Sequence, residues 1–152
     1  MHHHLQATFG RDGCVAIRSF LDALEINVLN EELRRFVSDI VPTMPREHVF
    51  YEQKGQHETL KQLQSMHIYD SFFEKMFQQG RFRDLASALL DDEAVPVNMQ
   101  YFNKPAGVGQ PTPAHQDGYY FMLSPCEAVT MWLALDEVDE ENGCVRYVIG
   151  SH

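Results

Sequence analysis

A chain of 152 residues is about the size of one domain, and its 44% hydrophobic and 11% aromatic content is enough for a packed core. A formal net charge of −10 makes nucleic acid and anionic membrane surfaces poor partners, and no apolar run approaches the roughly 18 residues that a membrane span needs. Cys14, Cys126 and Cys144 are odd in number, widely spaced and without a CxxC, so they read as reduced thiols and small buried hydrophobes, not as a disulfide frame or a zinc site.

Met1 is followed by histidines rather than by a basic segment and an apolar core, so no secretory signal is expected and the expected location is cytoplasmic. His2, His3 and His4 read as the remnant of a purification tag and are kept out of the metal argument. Residues 12–19 read as a short strand entered by a turn. Residues 20–41 carry Leu24, Ile26, Leu29, Leu33, Phe36 and Ile40 at helical spacing, with Glu31, Glu32, Arg34 and Arg35 as the wet face and Pro42 and Pro45 as the stop. Residues 49–53 read as a brief strand. Helices are expected over 58–67, 69–79 and 81–90, with Gly80 separating the last two.

From Val95 the period changes. Val95, Val97, Met99 and Tyr101 alternate as in a strand, and 104–114 is a loop rich in Pro and Gly. Strands are expected over 118–123 and 128–138. Residues 139–143 form an acidic turn closing on Asn142-Gly143, a hairpin signal, and 144–149 return as the partner strand. The acidic run 136–141 reads as a solvated hairpin tip rather than a calcium loop, whose glycine spacing it lacks. The last five residues read as a strand running into a turn, so the sequence is expected to be part of a longer protein. Helices first and short antiparallel strands after them give an α+β class, with a strand-rich half like a sandwich or jelly roll.

Chemistry concentrates in residues 98–121, around His115 and Asp117. On an extended strand, residues i and i+2 share a face, so this imidazole and this carboxylate can grip one metal ion. They would be part of the two-His-one-carboxylate set of non-haem Fe(II) oxygenases. Alone the pair says little, because a chain with 8 His can hold a His-x-Asp by chance.

The surrounding residues raise its weight. Asn103-Lys104-Pro105, His115-Gln116-Asp117, Tyr119-Tyr120-Phe121, Trp132 within the run 131–138, Glu141-Asn142-Gly143-Cys144 and Gly150-Ser151-His152 occur in an order that resembles the phytanoyl-CoA dioxygenase family of Fe(II)/2-oxoglutarate oxygenases. The resemblance covers nearly the whole chain and is densest in its last third. It implies a double-stranded β-helix (jelly-roll, cupin-like) core behind N-terminal helices, with His115 and Asp117 as two of three protein ligands to iron. It also implies 2-oxoglutarate and O₂ as co-substrates, succinate as product and hydroxylation of a substrate C–H.

Related halogenases carry a small residue where this chain has Asp117, so the resemblance implies hydroxylation rather than halogenation. By the same resemblance Lys61, Met99 and Trp132 contact 2-oxoglutarate, and Tyr101 joins them by strand alternation. Each has a plain alternative: a solvated lysine, core packing for Met99 and Tyr101, and a buried strand aromatic for Trp132. Tyr119 shares the strand face of the pair and is expected to meet the substrate, while Tyr120 faces away. Lys104 carries no assigned role. His152 lies 35 residues after Asp117, short for the second iron histidine, and fits the family's Gly-Ser-His turn instead. The third ligand and the arginine for the far carboxylate are expected further along.

The expected function is therefore hydroxylation of a small molecule by an Fe(II)- and 2-oxoglutarate-dependent dioxygenase. The alternatives are a non-catalytic or degenerate jelly-roll binding module and a cupin-like metal enzyme that does not use 2-oxoglutarate. Substrate identity and oligomeric state are not written in the sequence.

Overall fold

The long helix predicted over 20–41 forms, and one residue sets its start. Asp22 caps α2 (Ala23–Arg35): its carboxylate accepts from the Glu25 backbone N–H at 2.9 Å, while the Glu25 side chain accepts from the Asp22 N–H at 2.8 Å. This reciprocal capping box satisfies two donors that a bare helix start leaves open. The computed structural model, which describes residues 2–152, continues the helix through a π turn at Phe36–Ile40 and a 3-10 turn at Val41–Thr43. Pro42 lies in that last turn and Pro45 follows it. Neither can donate a backbone hydrogen bond, so the helix stops where expected.

Before α2 the expectation fails. Of residues 12–19, Asp12 closes a helix, α1 (His2–Asp12), and 13–19 run on as irregular chain. Gly13 takes φ +75 and its N–H donates to the Phe9 carbonyl at 2.8 Å. The glycine read as a strand-opening turn is thus spent on closing a helix.

The sheet has three antiparallel strands in the order β1 (Val49–Tyr51), β2 (Leu60–Leu63), β3 (Tyr101–Phe102). β2 falls inside the predicted helix 58–67. Leu60 and Leu63 stand at i,i+3, a spacing that a helix shares, and here it has another source. Phe50 pairs with Gln62 but Tyr51 pairs with Leu60, so Lys61 is the extra residue of a β-bulge. A bulge breaks the two-residue alternation and lets Leu60 and Leu63 both be buried. Of the predicted strand 95–101 only its end pairs, through Leu63 with Tyr101 and Gln62 with Phe102; Pro96 cannot join a ladder.

Beyond the sheet come α3 (Met66–Tyr69), α4 (Ser71–Gln78) and α5 (Arg81–Leu90), the last two as predicted. Asp70 caps α4 by accepting from the Phe72 and Phe73 N–H groups, and its other oxygen pairs with Arg35 at 2.7 Å, pinning α4 to α2. Between these elements lies the core of Leu29, Phe36, Val41, Met44, Leu60, Leu63, Met66 and Phe73. The Phe36 and Phe73 rings meet edge to face, 5.2 Å between centroids, an arrangement favoured by the ring quadrupoles.

The α+β class stands, with its sheet small and antiparallel. A double-stranded β-helix is not among the ladders that the described residues form. Residues 118–123, expected as a strand, open with α6 (Asp117–Phe121). Residues 128–138 and 144–149 carry no ladder, and Tyr147, Val148 and Ile149 are left exposed. The first of these segments is still tied down: Leu133 and Leu135 pack on the core, and Asn30 donates to the Leu135 carbonyl at 3.1 Å.

The acidic turn between them does form. The Asp139 carboxylate accepts from the Glu141 and Asn142 N–H groups, and Gly143 turns with φ +93. The Lys104 stem fills the space where a Gly143 Cβ would sit, and its ammonium donates to the Gly143 carbonyl at 3.0 Å. Lys104 is therefore a brace between two loops. Among the described residues no helix is long and apolar enough to cross a membrane.

Candidate metal centre

The loop that carries His115 is fixed at both ends. At its start the Asn103 N–H donates to the Lys61 carbonyl at 2.8 Å and the Asn103 side chain to the Leu60 carbonyl at 2.9 Å. A turn follows in which the Gly109 N–H donates to the Pro105 carbonyl at 2.8 Å. The Gln110 N–H then donates to the Glu52 carboxylate at 3.2 Å. Pro111 and Pro113 have φ locked by their rings, so the six residues from Gln110 to His115 form a stiff arm. Gln116 is extended, and Asp117 begins α6.

This arm brings the two predicted ligands together. His115 Nε2 lies 3.2 Å from Asp117 Oδ1, with the side chains 39% and 40% exposed, so a cation from solvent can reach both. His115 Nδ1 lies 2.7 Å from the Pro113 carbonyl oxygen. A carbonyl only accepts, so Nδ1 carries the hydrogen. With Nδ1–H so engaged, Nε2 faces a carboxylate oxygen, and two bare lone pairs at that distance would repel unless a proton or a cation lay between them. Neighbouring ligands at right angles, each about 2.1 Å from one metal, stand about 3 Å apart. The observed separation matches that value. Tethering the other ring nitrogen to a carbonyl is also what metal-binding histidines do. The pair thus fits a metal ion as two of its ligands.

A third ligand is not assembled: among the described residues no three His, Cys, Asp or Glu side chains converge as a metal site. His152 sits elsewhere, its Nε2 3.2 Å from the Gly10 carbonyl and its ring over Gly13, where a Cβ would collide with it.

Beside the pair is an open hollow of about 450 Å³ lined by residues that include His115, Tyr119, Tyr120 and Val148. Tyr119, expected on the face of the pair, lines it from a helical turn and not from a strand. Tyr120 is there too, against expectation, with its ring edge-on to His115 at 5.7 Å. The strand reading turned it away; the helical turn begun at Asp117 replaces alternation and brings both rings to one side. Gly118 lets α6 approach Cys126, whose sulfur occupies the space of a Gly118 Cβ. Gln116 reaches the Ser151 carbonyl across the hollow.

The other predicted residues lie apart from the pair. Lys61, at the bulge, holds its ammonium 3.2 Å from Glu52. The Gln110 N–H holds the Glu52 carboxyl below the usual range, with help from Lys61 and against the opposing effect of burial. Met99 and Tyr101 pack on the core, and burial, with a smaller push from Asp136, raises the Tyr101 phenol. Trp132 is 47% exposed. No hydrogen bond or ion pair joins these four to His115 or Asp117 among the described residues. Sequence reasoning missed Glu52 and Tyr120; a single Glu after a short strand gives no signal of its partners. The thiols are free, but Cys14 and Cys144 are only half-buried and Cys126 is exposed, which corrects their reading as buried hydrophobes.

Residues 9–152 match the family described as Phytanoyl-CoA dioxygenase (PhyH). The chain is 30% identical over 88 residues to "Phytanoyl-CoA dioxygenase domain-containing protein 1 homolog" of Caenorhabditis elegans, covering 57% of this chain and 31% of that protein. It is 27% identical over 176 residues to "Phytanoyl-CoA dioxygenase" of Arabidopsis thaliana, covering 95% and 62%. It is 24% identical over 143 residues to "Probable alpha-ketoglutarate-dependent hypophosphite dioxygenase" of Stutzerimonas stutzeri, covering 92% and 50%. The chain therefore spans less than two thirds of the length of these relatives. No solved structure matches it.

Proposed function

The chain belongs to the phytanoyl-CoA dioxygenase family, and on that premise we propose that the protein is an Fe(II)- and 2-oxoglutarate-dependent dioxygenase that hydroxylates a small molecule. The observation that carries the reading is the arrangement of His115, with Nδ1–H on the Pro113 carbonyl and Nε2 turned to Asp117 at 3.2 Å. The name of the Stutzerimonas stutzeri relative, an alpha-ketoglutarate-dependent dioxygenase, supports the co-substrate.

In this reading His115 Nε2 and Asp117 Oδ1 hold the iron, and Asp117 also neutralises part of its charge. When bound, iron with 2-oxoglutarate supplies oxidative decarboxylation coupled to oxidation of a substrate C–H by O₂, with succinate and CO₂ released. Pro113 keeps the imidazole in the tautomer that leaves Nε2 bare. Lys61 offers a cation to a carboxylate of 2-oxoglutarate, and Met99, Tyr101 and Trp132 wall its site. For Lys61 this requires the ammonium to turn from Glu52 or to share its three donors. Tyr119, and with it Tyr120, faces the substrate in the hollow. Asp117 in the carboxylate position favours hydroxylation over halogenation. A cytoplasmic location belongs to the same proposal and draws on the three free thiols.

The test is succinate release by the full-length protein, supplied with Fe(II), 2-oxoglutarate and a panel of small molecules. Succinate formation that needs Fe(II) and rises with one substrate class is expected. Release that does not need 2-oxoglutarate, or none with or without substrate, counts against the proposal.

A further inference from the structure

Glu52 joins Lys61 to the loop that carries His115. It lies just after β1, and its backbone N–H is anchored to the Thr59 carbonyl at 2.9 Å. Its side chain is only 9% exposed, and a carboxylate is rarely buried that far without partners. Here the partners are two: the Lys61 ammonium at 3.2 Å and the Gln110 backbone N–H at 3.2 Å. The first sits at the bulge of β2. The second belongs to the loop that ends at His115.

We propose that Glu52 is a positioning residue, whose carboxylate clamps the Gln110 backbone to the sheet beside Lys61 and so fixes the arm that delivers His115. The mechanism is mechanical. Between Gln110 and His115 the chain has four residues, two of them proline. Locked φ angles let such a segment transmit a displacement instead of absorbing it. Beyond the arm, the His115 Nδ1 contact to Pro113 orients the ring locally, and the Gln116 side chain reaches the Ser151 carbonyl in the C-terminal turn. Glu52 supplies the tie to the sheet. Its lowered pKa, due first to the Gln110 N–H, agrees with a carboxylate held charged in this role.

This inference rests on His115 being a metal ligand, so its test separates the two ideas. Co(II) is titrated into the full chain with His2, His3 and His4 replaced by Ala, and into the same chain carrying Glu52→Ala, Glu52→Gln or His115→Ala. Glu52→Ala is expected to weaken Co(II) binding roughly tenfold, as loss of an outer support of a metal ligand does. Glu52→Gln keeps an oxygen for the Gln110 N–H and is expected to stay within about twofold of the parent. A role in folding alone would not produce rescue by Gln in metal affinity at matched thermal midpoints.

Parent-like affinity for Glu52→Ala, with His115→Ala impaired, overturns the role of Glu52 and leaves the metal reading standing. Parent-like affinity for His115→Ala overturns the metal reading itself. Should Glu52→Ala fail to fold, amide exchange decides. The Gln110 amide is expected to exchange slowly in the parent and in Glu52→Gln; rapid exchange in the parent overturns the anchor.

Discussion

Asp117→Ala is expected to weaken divalent-metal binding by more than about 100-fold, beyond the 10–100-fold that loss of an outer-shell partner costs. The substitution removes a donor oxygen and also the negative charge that offsets part of the metal's own. Asp117→Asn separates the two losses: it keeps the shape and one oxygen and is expected to fall between Asp117→Ala and the parent. His115→Ala is expected to match Asp117→Ala, because two ligands with no assembled third leave no partial site worth keeping. The fold is expected to survive each change. Both side chains are about two-fifths exposed, and even a fully charged pair at such a site would contribute only about 0–1 kcal/mol. Thermal midpoints within a few degrees of the parent, together with lost metal binding, form the expected pair of results. Retained affinity in Asp117→Ala would remove Asp117 from the ligand set.

The opposite pattern is expected of Phe36→Ala. Phe36 is fully buried and packs edge-on against Phe73 where α2 passes into its π turn. Truncating a buried Phe costs about 3–5 kcal/mol, from lost transfer energy and the cavity left behind. Domains have only about 5–15 kcal/mol to lose. At roughly 2–4 °C per kcal/mol for a chain of this size, the thermal midpoint is expected to fall by about 6–20 °C. Metal affinity of the fraction still folded is expected to be unchanged, since Phe36 touches neither the arm nor the pair. Urea denaturation checks the cause: the midpoint moves and the slope does not. A drop below about 1 kcal/mol would mean that the core is not closed around Phe36.

The two substitutions show how unevenly the sequence reveals its fold. α2 was legible because period, wet face and proline stop agree over more than 20 residues, and α5 because Gly80 and Asp91 bracket one apolar face. β2 was not legible because its bulge sets Leu60 and Leu63 at a spacing that a helix shares, and a bulge is decided by the partner strand. The jelly-roll strands expected after Val95 depend most on partners far along the chain. Of them only Tyr101 and Phe102 pair, although Leu133 and Leu135 find the core.

The site divides in the same way. His115 and Asp117 are two residues apart, so local chain geometry was enough to bring them together, even though Asp117 starts a helical turn and not the strand that was expected. Tyr120 was misplaced for that same reason. Lys61 and Trp132 were named through family resemblance, and their places depend on long-range packing that no short motif encodes. Glu52 was invisible because its two partners lie 9 and 58 positions away.

The central claim is that His115 and Asp117 hold iron for a 2-oxoglutarate-dependent oxidation. The most direct measurement is an anaerobic titration of the full-length protein with Fe(II) and then 2-oxoglutarate, followed by visible absorbance. A weak, broad charge-transfer band is expected only when both are present, and it is expected to be absent from Asp117→Ala. No band on adding 2-oxoglutarate, or an unchanged band in Asp117→Ala, would contradict the claim.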